Sequence, residues 1–103
     1  MSNHQWYLNT DQVVWIRGLT DPVQNQAVND ATITAQMQDE DGENVGNVIT
    51  FTYDEGSDGD YYGVIPYDLP LVEWKAYTLV ISIQAATLRL ELHLVGKAVR
   101  RRV

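Results

Sequence analysis

The chain has 103 residues, 45 % of them hydrophobic and 20 % charged, which fits one globular domain with one core and excludes a disordered chain. It has no cysteine, which excludes thiolate catalysis, cysteine-ligated zinc, iron–sulfur clusters and disulfides. Its formal net charge of −7 argues against wrapping nucleic acid or binding anionic lipid, because both need a basic surface.

The start, Met1-Ser2-Asn3-His4-Gln5, is polar and lacks the basic and apolar stretches of an export signal. No apolar run approaches the ~20 residues of a membrane-spanning helix. The expected location is cytoplasmic or virion-associated.

In chain order, the hydrophobic period is 2 almost throughout, the mark of half-buried strands. A short first strand is placed around Trp6–Leu8. In Gln12–Arg17, Val13 and Trp15 share one face and Val14 and Ile16 the other. Gly18–Asn29 is a polar connection containing Pro22. Ala31, Ile33, Ala35 and Met37 then alternate with Thr and Gln, and Asp39–Asn44 reads as a hairpin turn with Gly42 free to take positive φ. Ile49, Phe51 and Tyr53 form the next alternating run. Asp54–Gly59 is a second turn, followed by Asp60–Pro66, where Tyr62 and Val64 oppose Tyr61 and Ile65.

Asp68–Trp74 is a non-strand crossing. Tyr77, Leu79, Ile81, Ile83 and Ala85 mark one long strand, and Leu88, Leu90, Leu92 and Leu94 mark another, tightly joined through Ala86-Thr87. In each strand the apolar set is expected to face a core. Six or seven short strands without a helical stripe predict an antiparallel β-sandwich or barrel spanning residues 1–103 as one domain, with residues 96–103 as a short basic tail.

Several segments resemble immunoglobulin-like and fibronectin-III-like sandwiches. Asp30–Gln38 followed by Asp39-Glu40-Asp41-Gly42 is similar to a recurrent strand ending in an acidic hairpin. Tyr61-Tyr62-Gly63-Val64-Ile65-Pro66 is similar to the strand after it, and Leu71 with Tyr77–Ile81 to the crossing into a late strand. The resemblance implies that Tyr77 bonds backward to the backbone through its hydroxyl. Trp15 is the other aromatic expected to be structural. Trp74-Lys75-Ala76 stands where that family usually has a glycine turn.

Gly18-Leu19-Thr20-Asp21, Asn29–Thr34 and Gly56-Ser57-Asp58-Gly59-Asp60-Tyr61 further resemble small immunoglobulin-like proteins of phage and prophage structural gene clusters. This likeness covers about residues 12–95. It implies an all-β immunoglobulin-like sandwich with a structural or interaction role and no enzymatic one, its partners being copies of itself or virion neighbours.

Candidate sites follow from residue types. The only serines are Ser2, Ser57 and Ser82 and the only histidines His4 and His93, and nothing in their spacing builds a nucleophile–base pair. No cofactor is expected. Two acidic turns offer oxygen ligands of the kind calcium takes, with Asp39, Asp41 and Glu43 in one and Asp54, Asp58 and Asp60 in the other. Neither fits the EF-hand, whose twelfth position from Asp54 is Ile65 here. The weak alternative is therefore a module binding calcium or carbohydrate, with Tyr61 and Tyr67 expected at the surface. Lys97, Arg100, Arg101 and Arg102 form a basic end that would meet an acidic turn of a neighbouring subunit, and removing residues 97–103 would leave the fold intact.

Overall fold

The structure is a computed structural model that describes residues 4–86 and 88–100. Ten strands account for its regular structure: β1 (His4–Leu8), β2 (Gln12–Ile16), β3 (Thr20–Asp21), β4 (Gln26–Ala27), β5 (Thr32–Gln38), β6 (Asn44–Thr50), β7 (Thr52–Tyr53), β8 (Tyr61–Ile65), β9 (Ala76–Gln84) and β10 (Arg89–Arg100). No helix among the described residues is long and apolar enough to cross a membrane.

Five strands form one sheet in the order β1-β10-β9-β5-β6, and three form another in the order β2-β8-β7. β3 and β4 make a two-stranded ladder within the polar connection. All pairings are antiparallel except β1 with β10, which is parallel and sets Trp6 opposite Ala98. The core lies between the two larger sheets. Ile33, Ala35 and Met37 of β5 and Leu79, Ile81 and Ile83 of β9 are buried against Tyr61 and Ile65 of β8. Every second residue points inward, as the pleat requires, and each large aliphatic side chain buried this way contributes about 1.5–3 kcal/mol.

Several expectations are corrected. The core tryptophan is Trp6, 1 % exposed, whose indole N–H donates to the Tyr77 carbonyl at 3.0 Å. Trp15 is 41 % exposed and belongs to the outer face of the smaller sheet. Strand alternation separates two faces but does not say which is covered, and β2 turns Val14 and Ile16, partly buried, toward the core instead. Tyr61 is 1 % exposed, not a surface aromatic.

The run Ile49–Tyr53 is not one strand. Its chain leaves the larger sheet after Thr50 and joins the smaller one at Thr52, while Phe51 N–H donates to Ile33 O at 2.9 Å. Residues 96–100 are not a tail but the end of β10. Ala98 is 0 % exposed, its N–H donates to Lys75 O and its carbonyl accepts from Trp74 N–H. Lys97 and Arg100 therefore sit on a strand, and Arg100 Nε lies 3.9 Å from Glu73 Oε1 of the same chain. Arg101 and Arg102 lie outside the described residues. The leucine row of β10 is only partly covered, with Leu90 43 % exposed, because a three-stranded sheet does not span a five-stranded one.

Tyr77 is buried at the start of β9, and its hydroxyl accepts the Val72 N–H at 2.8 Å, five residues upstream. Trp74, just before it, holds the left-handed φ of 73° that a glycine would take without strain.

Candidate interaction surface

The two acidic turns are built by local backbone bonding. Asp39 Oδ1 accepts the N–H groups of Asp41 and Glu43 at 2.9 and 3.0 Å, closing the β5–β6 hairpin around Gly42, whose φ is 80°. Asp54 O accepts both the N–H and the hydroxyl of Ser57. Asp60 Oδ1 accepts Gly18 N–H at 2.8 Å, and its other oxygen lies 3.6 Å from Arg17 Nη1. Asp39 and Asp60 are thus occupied in shaping loops. Among the described residues, no three of Asp, Glu and His come together as a metal site, so Asp39, Asp41, Glu43, Asp54, Asp58 and Asp60 are not convened as ligands. His93 Nε2 lies 3.0 Å from Glu91 Oε1 on an exposed strand face, and the His4 ring stacks on Trp6 at 5.8 Å.

Tyr61 ties the loop before β5 to the core. Its hydroxyl donates to Val28 O at 2.7 Å and accepts Ala31 N–H at 3.0 Å. Burial pushes this hydroxyl above the usual tyrosine value of 10.0; the Ala31 N–H opposes the shift, and the nearby Asp30 and Tyr53 add to it. The folded chain thus holds the proton more tightly than the unfolded chain does. Stability is unaffected by this group below about pH 10 and falls as pH rises from there toward the folded value. Tyr61→Phe is expected to cost about 1–3 kcal/mol at neutral pH, because it leaves a buried donor and acceptor unpaired. In urea titrations at neutral pH and at about pH 11, the wild type should lose more stability with alkali than the variant does. Equal alkaline losses would assign that loss to other groups.

The outward face of the smaller sheet is apolar. Val13 pairs with Val64 and Trp15 with Tyr62 across β2 and β8. Val13, Trp15 and Val64 are all exposed, the Trp15 and Tyr62 rings lie 5.3 Å apart, and the Arg17 guanidinium sits 4.3 Å over the Trp15 ring. Beside this row, β7 pairs with only Tyr61 and Tyr62 of β8, so Gly63–Ile65 faces β6 across a gap. The gap is an open groove of about 490 Å³, walled by Val48 and Thr50 of β6, by Val64, and by Tyr67 and Asp68 of the following loop. Tyr67 is 61 % exposed, and its N–H donates to Asp11 Oδ1 at 2.7 Å. The structure thus brings Tyr67 to the groove and leaves Tyr61, Lys97 and Arg100 elsewhere.

Read from the sequence, Val13, Tyr62 and Val64 are strand residues with no assigned contact role. The signal was present: two strands in which both alternating sets are apolar, so that one set must face solvent in a two-layer fold.

Compared with known proteins, the chain matches no family model, no curated protein and no solved structure.

Proposed function

We propose that this chain is a non-enzymatic interaction domain, an immunoglobulin-type sandwich that joins neighbouring subunits in an assembly of the phage or prophage kind. The carrying observation is the exposed row Val13, Trp15 and Val64, joined by the half-buried Tyr62, on a rigid sheet and continuous with the Tyr67 groove. Contiguous exposed apolar surface of this kind marks a contact site, and aromatic residues dominate the energetics of such contacts.

The strand order supports the immunoglobulin reading. β10, β9 and β5 stand as strands G, F and C, with β6 as the added C′, and β2, β8 and β7 stand as B, E and D. The backward bond from Tyr77 falls at the start of the F equivalent, as a tyrosine corner does. The phage and prophage setting rests on the sequence segments at 18–21, 29–34 and 56–61.

A photo-crosslinking residue at Trp15, expressed in the organism that carries the gene, tests the role. The expected result is discrete adducts to copies of the chain or to structural proteins. The control is the same residue at Gln84, exposed on the outer face of the other sheet. Adducts no more frequent from position 15 than from position 84 would overturn the reading.

A further inference from the structure

Of the four outer strands of the two larger sheets, three are blunted and one is not. β1 is the outer strand of the larger sheet, and the Gln12 side chain acts there as a substitute strand: its Oε1 accepts Tyr7 N–H at 3.1 Å and its Nε2 donates to Gln5 O at 2.8 Å. β6, the opposite edge, is broken by a bulge between the Ala35 and Met37 pairings. Gly46 takes a φ of 76° there, and its carbonyl accepts Gln36 Nε2 at 3.1 Å. β7 is two residues long. These are the usual defences against unwanted strand pairing. β2 has none of them. It is five residues of Gln-Val-Val-Trp-Ile at the end of its sheet, with no lysine, proline or bulge.

The space beside β2 is also open. A cleft of about 450 Å³ runs along Gln12–Arg17, floored by Ile81, Leu92 and Leu94 of the larger sheet and closed by Trp6 and His4. A strand added to β2 would extend the exposed apolar row with its outward residues.

We infer that the occupant is β2 of a second copy, paired antiparallel about a two-fold axis through Val14, so that two three-stranded sheets become one of six. The inference rests on the reading of this chain as an interaction domain and names its partner. Charge picks the register. With Val14 opposite Val14, Asp11 of each copy lies opposite Arg17 of the other, on the same face as the Val13–Trp15 pairs. Shifting the register by two residues sets Asp11 against Trp15, or Val13 against Arg17. Asp11 and Arg17 are both exposed and bracket the strand with opposite charges. An isologous contact of this kind closes at the dimer and leaves no further free β2 edge.

Light scattering over a concentration series, with the melting temperature as a folding check, tests the pairing. The wild-type chain should double its 11.7 kDa mass as concentration rises. Asp11→Arg and Arg17→Asp should each weaken dimerisation at least tenfold, and the double exchange D11R/R17D should restore it, since the two charges then meet with their roles reversed. Loss of the Tyr67 and Asp60 contacts within one chain would instead make the double variant the worst of the three. Val13→Lys, at an exposed position that leaves the core untouched, should abolish the dimer. A wild-type mass that stays at one chain up to about millimolar concentration overturns the inference and leaves the wider reading to the crosslinking result. A dimer insensitive to all four variants overturns the β2 contact.

Discussion

Replacing Trp6 by alanine is expected to lower the unfolding free energy by about 3–5 kcal/mol, measured by urea titration. Trp6 is the largest buried side chain, it sits opposite Ala98, and its indole N–H is bonded to the carbonyl of Tyr77. The substitution opens a cavity at the point where β1 docks on β10 and leaves that carbonyl without its partner. A domain of this size has roughly 5–15 kcal/mol in total, so the melting temperature should fall on the order of 20 °C. Trp15→Ala serves as the contrast. It removes a half-exposed ring from the surface and should cost much less. Equal losses at the two positions would mean that Trp6 anchors the core no more than Trp15 does.

Removing residues 97–103 is expected to abolish cooperative unfolding altogether. The cut deletes the β10 partners of Gln5, Trp6, Tyr7 and Leu8, leaving only the His4–Gly96 pair of the β1 ladder. It also deletes Ala98, whose N–H and carbonyl hold the crossing at Lys75 and Trp74. β1 would lose its only neighbouring strand in the sheet, and Trp6 its seat. Thermal melting followed by near-ultraviolet circular dichroism checks this. A sharp transition within a few degrees of the full chain would show that β1 docks without the end of β10. The expectation of a dispensable basic tail fails here for a physical reason. The alternation of β10 is interrupted by Val95 and Gly96, and the small residues Gly96 and Ala98 continue the inward face where no large apolar side chain marks it. Gly96 is small because a Cβ there would lie 2.2 Å from the His4 carbonyl oxygen.

Local signals were readable and non-local ones were not. The alternation in 12–17, 31–38, 60–66 and 77–85 reports each strand's two faces, and the acidic turn at 39–43 follows from Asp39 and Gly42 alone. Three features depend on partners far along the chain. Trp6 is buried because a strand more than eighty residues away pairs with it. The break at Phe51 falls inside an unbroken period of 2, because the chain changes sheets without changing its alternation. Leu90 and Leu94 lie on the covered face by pattern, yet the width of the opposite sheet decides how much of that face is covered. The contact surface was legible only in part. Tyr67 was read as exposed, but the Val13–Val64 and Trp15–Tyr62 pairs require the register of β2 against β8, which no single segment carries.

Of the four outer strands of the two larger sheets, three are protected and β2 is not, and the proposed pairing through β2 follows from that difference. Hydrogen exchange of the full chain, followed at low and at high protein concentration, tests that claim most directly. The account predicts that the amides of Gln12–Ile16 pointing away from β8 slow as concentration rises, while those of β6 exchange at an unchanged rate. Exchange at β2 that stays the same at every concentration would contradict it.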